Sequence, residues 1–390
     1  MRILQLHNDH QSLGGAPEVM AHEAALLTGA GHVVEQYRVA PAETLGLSAV
    51  RSATKSIWNV EVTREVAAKI TSFRPDVAHV HTPFPLMSPA VFRTAKRLGV
   101  PTVTTLHSYR WSCVAATCFR DGHVCEDCVG KTLKLPGIRH RCYHGSLGAS
   151  AALTGSLLLH RTIGTQQHKV DRWISLTGFG KRLLERDGLP ADKIVVKPNS
   201  MPDPGEPTGP AAEPYVAIAA RLVDVKGIET LLRAWPQVTP GLTLKIAGDG
   251  ALRGAVEAAA AAYPTIEYLG WLGEAEVGAL MAGARAMIVP SEWYEGLPLV
   301  VLRSLSYGTP LVVSDLENIC EDIVGDDTGV AFATGDAAAL AAALSGIVTA
   351  PQVWADRRAV ARQSYLDRYT PEVDLARLEQ IYRDVTAPAA

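Results

Sequence analysis

Residues 201–210 form a proline-rich segment near the middle of the 390-residue chain: Met201-Pro202-Asp203-Pro204-Gly205-Glu206-Pro207-Thr208-Gly209-Pro210. Four prolines in ten residues can continue neither a helix nor a central strand, and this composition is typical of a semi-stiff linker. We therefore predict an N-terminal domain over residues 1–203, a linker over 204–214 and a C-terminal domain over 215–368. Residues 369–390 are expected to form a helix that returns to the N-terminal domain.

Short apolar runs alternate with helical patterns on both sides of this segment. Before it, strands are predicted at Arg2–His7, Val33–Val39, Val77–Val80, Thr102–Leu106, Trp173–Leu176 and Ile194–Lys197. After it, strands are predicted at Tyr215–Ala219, Leu242–Ala247, Ile266–Leu269, Ala286–Val289, Leu311–Ser314 and Val330–Phe332. Such alternation is typical of parallel strands joined by crossover helices, so the predicted fold class is α/β with two Rossmann-like domains. Sheets of this kind bind ligands at the carboxyl ends of their strands, and we expect the site in the cleft between the two domains.

Composition excludes several classes of protein. Hydrophobic residues make up 47% of the chain and charged residues 20%, which excludes a disordered or fibrous protein. The net charge is −3, so no overall basic field points to nucleic acid. The first residues turn polar too early for a signal peptide, and six cysteines without an export signal fit a reducing compartment. The expected location is therefore the cytoplasm.

A pair of cations follows the first predicted strand of the C-terminal domain. Arg221 and Lys226 lie in Arg221-Leu222-Val223-Asp224-Val225-Lys226-Gly227, directly after that strand. At the carboxyl end of a strand, such a pair can hold a diphosphate, the arginine as a fork and the lysine as a point charge. A solvated surface turn is the alternative interpretation.

A second motif lies between a predicted strand and a helix: Ser291-Glu292-Trp293-Tyr294-Glu295-Gly296-Leu297-Pro298-Leu299-Val300. We place Pro298 in the first turn of that helix, where free backbone N–H groups can bind phosphate or sugar oxygens. Glu295 beside them would accept hydrogen bonds from sugar hydroxyls. An acidic helix N-terminus favoured by the helix dipole explains one glutamate, but it does not explain the whole string.

Two weaker signals lie in the N-terminal domain. Gly14-Gly15 follows the first strand, and glycine lets the backbone come close to a pyrophosphate, although a plain turn explains the pair equally well. His107 ends Thr104-Thr105-Leu106-His107 at the carboxyl end of a strand, a position that aims its side chain into the expected cleft.

Taken together, these motifs resemble those of glycosyltransferase family 4, retaining enzymes of the GT-B fold. The resemblance spans both domains in the order of the family, and its pieces are specific jointly rather than singly. The matching pieces are Gly14-Gly15, Pro75-Asp76-Val77-Ala78-His79-Val80-His81, Thr105-Leu106-His107, Lys197-Pro198-Asn199, Arg221 with Lys226-Gly227, Ala247-Gly248-Asp249-Gly250, Glu295-Gly296-Leu297-Pro298-Leu299 and Gly308-Thr309-Pro310.

The resemblance implies transfer of a sugar from a nucleotide diphosphate sugar, with retention of the anomeric configuration and no required metal. Arg221 and Lys226 would neutralise the departing diphosphate, helped by the amide of Gly15. Glu295 and the segment Gly296–Val300 would hold the sugar, and His107 would contact it from the other domain. The leaving phosphate itself would take the proton of the acceptor, and domain closure would complete the site. The further expected donor contacts are Gly14, Asn199, Gly248 and Arg303.

Arg303 departs from the family's pattern of two glutamates spaced E-x7-E. Counting from Glu295, the second position is Arg303. The missing glutamate normally holds ribose hydroxyls, and an arginine cannot accept a hydrogen bond, although it can meet a phosphate or a different nucleotide. Three interpretations remain: altered donor choice, weakened donor binding, or lost catalysis. The first two are favoured because the other motif residues are present.

Five of the six cysteines lie in one segment of the N-terminal domain, and Cys320 is remote from them and is interpreted as a core residue. Cys125-Glu126-Asp127-Cys128 is a C-x2-C knuckle. Four thiolates in this layout can hold a structural zinc ion tetrahedrally. The predicted ligands are Cys113, Cys125, Cys128 and Cys142, with Cys118 as a spare or in place of Cys113. Reduced packing thiols, a disulfide pair and a redox C-x2-C remain as alternatives.

Two histidines form a weaker metal candidate. His79 and His81 are two positions apart on a predicted strand, so their side chains share one face, and His107 is expected nearby. The resemblance places this strand in a cleft that works without a metal, and we therefore do not favour a metal site there.

Residues 110–182 form a basic segment that includes the cysteine-rich insert at about 110–146. It has eleven basic and four acidic residues, a charge of +7, and it contains the apolar stretch Ala149–Leu159. Such a patch fits peripheral contact with an anionic membrane surface or a lipid diphosphate carrier, and a solvated face over a core helix is the alternative. The expected acceptor is therefore a glycan or lipid-linked carrier in surface polysaccharide or glycoconjugate synthesis.

Two other functions remain open from the sequence. One is a nucleotide-sugar epimerase of the same fold. The other is a catalytically weakened partner subunit that binds a sugar nucleotide, which only Arg303 supports.

Overall fold

The computed structural model describes residues 1–9, 15–42, 44–321 and 324–387, which form two compact units. The first unit contains residues 1–120 and 125–198 and the chain from Asp374 onward, and the second contains residues 121–124 and 199–373. The first unit thus has a C-terminal segment that follows the whole of the second unit in sequence.

The first unit is built on a six-stranded parallel sheet in the order β2-β1-β3-β4-β7-β8. The strands of this half of the chain, including two very short ones, are β1 Arg2–Asn8, β2 Val33–Val39, β3 Val77–Thr82, β4 Thr102–Leu106, β5 Phe119–Arg120, β6 His123–Val124, β7 Arg172–Ser175 and β8 Ile194–Val196. The helices are α1 Gly15–Gly29, α2 Ala49–Ile57, α3 Val60–Phe73, α4 Ala90–Arg97, α5 Leu135–Arg139, α6 Leu147–Thr162, α7 Thr165–His168 and α8 Gly178–Arg186.

The second unit has its own six-stranded parallel sheet, in the order β11-β10-β9-β12-β13-β14. Its strands are β9 Tyr215–Ala219, β10 Thr243–Ala247, β11 Ile266–Gly270, β12 Ala286–Val289, β13 Leu311–Ser314 and β14 Gly329–Phe332. Its helices are α9 Ile228–Ala234, α10 Arg253–Ala262, α11 Glu274–Gly283, α12 Leu299–Ser306, α13 Glu317–Cys320, α14 Ala337–Thr349 and α15 Pro351–Arg368. This is the doubly wound order whose direction reverses between β9 and β12, and ligands bind at such a switch point.

Burial on both faces explains why the central strands of the second sheet, β9, β12 and β13, are nearly continuous apolar runs. In the second unit, β12 and β13 are buried at every position. In the first unit, the final helix α16 (Pro371–Thr386) places Leu378 and Tyr382 in a core cluster with Ile3 and Ile174. The two-unit α/β fold class predicted from the sequence is confirmed, and each of the twelve predicted strands is present with its ends within two residues of the predicted ends.

The boundary between the two units lies earlier in the chain than the proline-rich segment predicted. Residues from Asn199 onward group with the second unit, five residues before the predicted boundary. The reason lies in hydrogen bonds at Met201, whose N–H donates to the carbonyl of Tyr369 at 3.0 Å and whose carbonyl accepts from the Tyr365 hydroxyl at 2.8 Å.

Candidate functional site

The cation pair predicted from the sequence lies at the switch point of the second unit. Arg221 follows the carboxyl end of β9 and is exposed, and Lys226 ends a single 3-10 turn over Asp224–Lys226. The N–H of Glu292, which follows β12, donates to the carbonyl of Val225 at 2.9 Å. This bond joins the loop after β9 to the loop after β12, the two strands between which the sheet order reverses.

Gly227 allows these two loops to come close together. Its φ is 66°, and a Cβ atom at this position would lie 1.9 Å from the carbonyl oxygen of Pro290. No side chain fits there, so glycine is required both by the left-handed backbone and by the contact. Gly248, one of the predicted donor residues, has the same property after β10, since its Cβ would lie 1.8 Å from the carbonyl oxygen of Ala220. The two glycines thereby set the path of the backbone on either side of Arg221.

Glu295 is the centre of a small hydrogen-bond cluster. Its carboxylate accepts from the Ser291 hydroxyl at 2.8 Å and from the Trp293 indole N–H at 2.9 Å, and it pairs with the ammonium of Lys226. The Asn318 amide donates to the backbone carbonyl of Glu295. The carboxylate is therefore held in one place by donors from both predicted motifs.

The segment after Glu295 leads into the N-terminus of α12. Leu297 is buried, and Pro298 lies at the cap position with an extended ψ of 124°. The helix begins at Leu299, one residue later than the predicted placement of Pro298 inside its first turn. The first amides of a helix have no acceptor within the helix, so those of Leu299 and Val300 are oriented for an anion or a hydroxyl.

Arg303 lies one turn further along α12, on the same face as Leu299. Its guanidinium donates to the carboxylate of Glu274, at the start of α11, at 2.9 Å. Glu274 is 83% exposed, so this pair lies at the surface. Where the family pattern has its second glutamate, this chain thus has an arginine that already has a carboxylate partner.

The remaining predicted donor residues lie elsewhere in the described chain, with one exception. Gly15 is the first residue of α1, so its amide belongs to a helix N-terminus. Asn199 is buried at the start of the second unit. Gly14 lies outside the described residues.

His107 follows β4 in the first unit and hydrogen-bonds to a second histidine. Its Nε2 lies 3.1 Å from Nδ1 of His81, and the two rings stack with centroids 5.4 Å apart. Burial, with smaller contributions from the charges of His7 and Lys197, lowers the pKa of His107 to about 3. The imidazole is therefore neutral near pH 7 and can both donate and accept a hydrogen bond.

Beneath His107 lies a buried charged network that the sequence did not predict. The Lys197 ammonium lies 2.9 Å from Oε1 of Glu23 and pairs with Asp374, and Oε2 of Glu23 lies 3.5 Å from Nε2 of His81. Burial alone would lower the pKa of Lys197, but the carboxylates of Asp374 and Glu23 raise it above its ordinary value. Burial raises the pKa of Glu23 and is partly offset by Lys197.

The ligand atoms of Glu23, His79 and His81 lie within 4.8 Å of one another, as they would around a metal ion. His79 and His81 are the pair that the sequence marks as a weak metal candidate. The Lys197 ammonium, however, lies beside the carboxylate, and both ring nitrogens of His79 have partners, the Tyr382 hydroxyl and the Thr105 hydroxyl, each at 2.8 Å. We interpret the cluster as an ion-pair network, since a metal would have to displace these contacts.

Four of the five clustered cysteines surround one small cavity in the first unit. Cys113, Cys125, Cys128 and Cys142 line it, and Cys118 hydrogen-bonds to Cys113 from outside. All six cysteines are free thiols. Cys320, interpreted from the sequence as a core residue, is half-buried at the end of α13.

The apolar stretch of the basic segment forms most of α6. Its inner face packs on α2, where the Ser156 hydroxyl donates to the carbonyl of Ser56 at 2.7 Å and Leu153 and Leu157 are buried. Within the described ranges, no single helix has the length and apolar composition to cross a membrane. The segments Ala337–Thr349 and Pro351–Thr386 meet both conditions only when taken together, and they are bent by 97° at the break between them.

A separate cavity in the second unit contains none of the candidate donor residues. It is lined by Leu242, Arg285, Ile347 and Trp354 among others, at the amino ends of β10 and β12. Open parallel sheets bind their ligands at the opposite edge, so we place the candidate site at the carboxyl ends, with the predicted motifs.

Two Rossmann-like parallel units with these motifs after β9 and β12 define the GT-B fold of glycosyltransferases. Residues 213–350 match the family model described as glycosyl transferases group 1, and residues 14–200 match that of the glycosyl transferase 4-like domain. The chain therefore belongs to the group 1 glycosyltransferases of family 4, as the sequence motifs predicted.

Related proteins differ in how much of their length they share with the chain. The glycogen synthase of Mycobacterium tuberculosis is 33% identical over 181 residues, which cover 45% of this chain and 43% of that protein. The chain thus matches less than half the length of this relative. A glycosyltransferase from Rickettsia africae superposes with a TM-score of 0.74 at 15% identity, covering 100% of this chain and 99% of the other. Anabaena Alr3699/HepE, solved in complex with UDP, gives 0.70 at 16% identity, covering 98% and 100%.

Proposed function

We propose that the chain is a retaining, metal-independent glycosyltransferase that moves a sugar from a nucleotide diphosphate sugar to a glycan or lipid-linked acceptor. The observation that carries the proposal is the cluster at the switch point of the second unit, where Lys226 and Ser291 both contact the carboxylate of Glu295. It combines a cation for a phosphate with an anchored acceptor for sugar hydroxyls. Family membership and the similarity to HepE, which was solved with UDP and with UDP-glucose, support it.

The chemistry of the leaving group follows from these residues. In the proposed reaction, the bond between the anomeric carbon and the diphosphate breaks, and negative charge develops on the phosphate oxygen. Arg221 and Lys226 stabilise that charge electrostatically, and preorganised charges of this kind act without reorganisation at the moment of reaction. The departing phosphate oxygen takes the proton of the acceptor hydroxyl, which attacks on the same face. Glu295 orients the sugar through its hydroxyls.

A thermal-shift screen with UDP, GDP, ADP, TDP and CMP tests donor binding first. A ligand at about 100 times its dissociation constant adds about 2.7 kcal/mol of stability, which raises the unfolding temperature measurably. UDP is the first choice because of the HepE complexes. Binding should fall about tenfold to a hundredfold in Lys226→Met, since a charge-assisted hydrogen bond contributes about 1.5–3 kcal/mol. Lys245→Met is the matched control, because Lys245 lies in the same unit and its partners, Glu267 and the ring of Tyr215, are not candidate donor residues.

Product detection then tests catalysis and the two alternatives. Incubation with UDP-glucose and glycan or lipid-linked acceptors should give a glucosylated product whose anomeric configuration is that of the donor. An epimerised nucleotide sugar without a transfer product would support the epimerase instead. Donor binding without transfer or hydrolysis would support the partner subunit, the alternative that Arg303 suggested.

Membrane contact and the lipid-linked acceptor belong to the same proposal. In the basic segment, Leu133, Leu135 and Leu147 are each about half exposed, and Arg139 and Arg141 beside them are exposed as well. Exposed leucines flanked by arginines are suited to the interface of an anionic bilayer. Sedimentation with anionic liposomes at low salt should carry the protein down, and Leu133→Ser with Leu135→Ser should reduce that fraction. No sedimentation at low salt would remove the membrane from the proposal.

A further inference from the structure

The cysteine-rich insert between β4 and α6 has little regular structure to stabilise it. From His107 to Ser146, the described elements are two strands of two residues and the five-residue helix α5. Five of the eight non-glycine residues with positive φ in the described chain lie here, at Ala116, Cys118, Asp121, Arg141 and His144. Trp111, Val114 and Cys128 join the hydrophobic core of the first unit, and short segments with few such anchors are commonly held by disulfides or a metal.

Four thiols from three separated parts of the insert line one cavity. Cys113 comes from the turn after β4, Cys125 and Cys128 from the C-x2-C knuckle, and Cys142 from the turn after α5. No disulfide joins them, although all four line the same space. Cysteines that only fill space in a core need not face one common cavity from three separate parts of the chain.

The backbone around the cavity is arranged to support anionic sulfur. The Cys113 sulfur accepts a hydrogen bond from the Cys118 thiol and further bonds from the backbone N–H groups of Cys118, Ala115 and Ala116. The backbone N–H groups of Gly137 and Val114 donate to the sulfur of Cys128. N–H donation of this kind favours the thiolate, the form that ligates metals.

Cationic side chains lie close to the cavity. Arg120 lines it and pairs with Asp127 at 3.1 Å, and the guanidinium of Arg110 donates to the backbone carbonyl of Val114, which also lines the cavity. The buried Lys134 donates to the backbone carbonyl of Cys128 at 3.1 Å, while its charge is paired with Asp187. A zinc ion with four thiolates carries a net charge of −2, and nearby positive side chains lower the cost of placing that charge here.

We propose that Cys113, Cys125, Cys128 and Cys142 bind one structural zinc ion that fixes the insert. Four thiolates close the tetrahedral coordination sphere, so the site is structural rather than catalytic, and each ligating thiol gives up its proton. In a tetrahedral zinc site the sulfurs lie roughly 3.8 Å apart. Among the described residues, only Glu23, His79 and His81 have three ligand atoms within 4.8 Å of one another, so no three of the four sulfurs are that close. Zinc binding therefore requires the four sulfurs to come closer together than they stand here.

Metal analysis of the whole chain, purified without a polyhistidine tag, tests this site independently of any transferase activity. We expect about one zinc ion per chain by mass spectrometry, released stoichiometrically when a thiol-specific mercurial is added. Content below about 0.2 zinc per chain with reactive thiols would overturn the proposal, since a structural site is nearly full. A disulfide between any two of the four cysteines, found by mapping under non-reducing conditions, would overturn it as well.

Serine variants test the assignment of ligands. Cys128→Ser and Cys142→Ser should lose most of the zinc, whereas Cys320→Ser should keep it, because Cys320 lies in the second unit. Cys118→Ser should keep it too, since a serine hydroxyl still donates to Cys113. Equal zinc in Cys128→Ser and Cys320→Ser, or loss in Cys118→Ser, would refute the assignment. If the ligand variants do not fold, cobalt exchanged into the wild-type protein should show the charge-transfer bands of tetrahedral cobalt–thiolate, and their absence would count against the site.

Discussion

Replacing Gly227 by alanine tests whether the close approach of two loops positions the donor cluster. Gly227 has a φ of 66°, and its added Cβ would lie 1.9 Å from the carbonyl oxygen of Pro290 and 2.8 Å from the carbonyl carbon. Gly335 is the matched control, since it lies in the same unit at a φ of 76° with no atom within 4 Å of an added Cβ. The two substitutions thus share the backbone strain and differ in the contact.

The structure gives the size of the difference. A residue with a side chain in the left-handed region costs roughly 1–2 kcal/mol, and both variants incur this. In Gly227→Ala, the overlapping atoms are backbone on both sides, so no rotamer change relieves them and the loop after β12 must move. Overpacking of this kind costs a further 1–3 kcal/mol or so. For a unit of this size, about 1 kcal/mol corresponds to about 2–4 °C, so we expect Gly227→Ala to unfold roughly 2–12 °C below Gly335→Ala.

Calorimetry of both variants, each with and without UDP, measures these effects. Gly227→Ala should also lose most of the stabilisation by UDP, because Lys226 directly precedes the displaced residue, whereas Gly335→Ala should keep it. Equal unfolding temperatures for the two variants would refute the steric argument. Loss of stability with full stabilisation by UDP would show that the contact supports the fold but does not position the donor cluster.

Three further substitutions probe other parts of the molecule. Lys197→Met leaves two buried carboxylates without their cation, so it should lower the free energy of unfolding by about 3–5 kcal/mol in urea titrations. Lys69→Met is the control: Lys69 forms an exposed pair, and its loss should change the free energy of unfolding by less than about 1 kcal/mol. The pKa of His107 is about 3 in the folded protein and about 6.5 in an unfolded chain, so the unfolded state binds the extra proton and stability falls as pH drops below about 6.5. His107→Gln should reduce that slope by up to about 1.4 kcal/mol per pH unit, and an unchanged slope would show that His107 does not contribute. Arg303→Glu should tighten UDP binding about tenfold if a ribose acceptor is what the site lacks, and unchanged affinity in calorimetric titration would show that Arg303 has a role of its own.

The sequence was most informative where burial imposes a continuous pattern. Strands such as β12 and β13 are buried on both faces, so their apolar runs are unbroken and their ends fall where polar residues begin. The strands β5 and β6 have two residues each, too short for any period to show, and they were not predicted. The boundary at Pro198 was missed by five residues because the hydrogen bonds of Met201 to α15 and Tyr369 leave no local signal.

The candidate site shows the same limit at the level of side chains. The positions of Arg221, Lys226 and Glu295 after predicted strands, together with the family resemblance, predicted that they belong to one functional region, because the carboxyl ends of parallel strands meet at one edge of a sheet. The partners of Lys197, by contrast, lie 174 and 177 positions away in sequence. A buried lysine is rarely tolerated without such partners, but nothing in the sequence around Lys197 identifies Glu23 or Asp374 as those partners.

The pairing of Lys226 with Glu295 explains why a diphosphate sugar suits this cluster better than either of its halves. Without a donor, the ammonium and the carboxylate satisfy each other. We expect a diphosphate alone to draw Lys226 away from Glu295, whose carboxylate retains the hydrogen bonds from Ser291 and Trp293. A sugar attached to that diphosphate brings hydroxyl groups that can donate to the carboxylate of Glu295, so the lost contact is replaced within the same ligand. The proposed donor therefore replaces the ion pair between Lys226 and Glu295 by two sets of contacts, those of the diphosphate with Lys226 and those of the sugar hydroxyls with Glu295. A nucleotide without its sugar supplies only the first set.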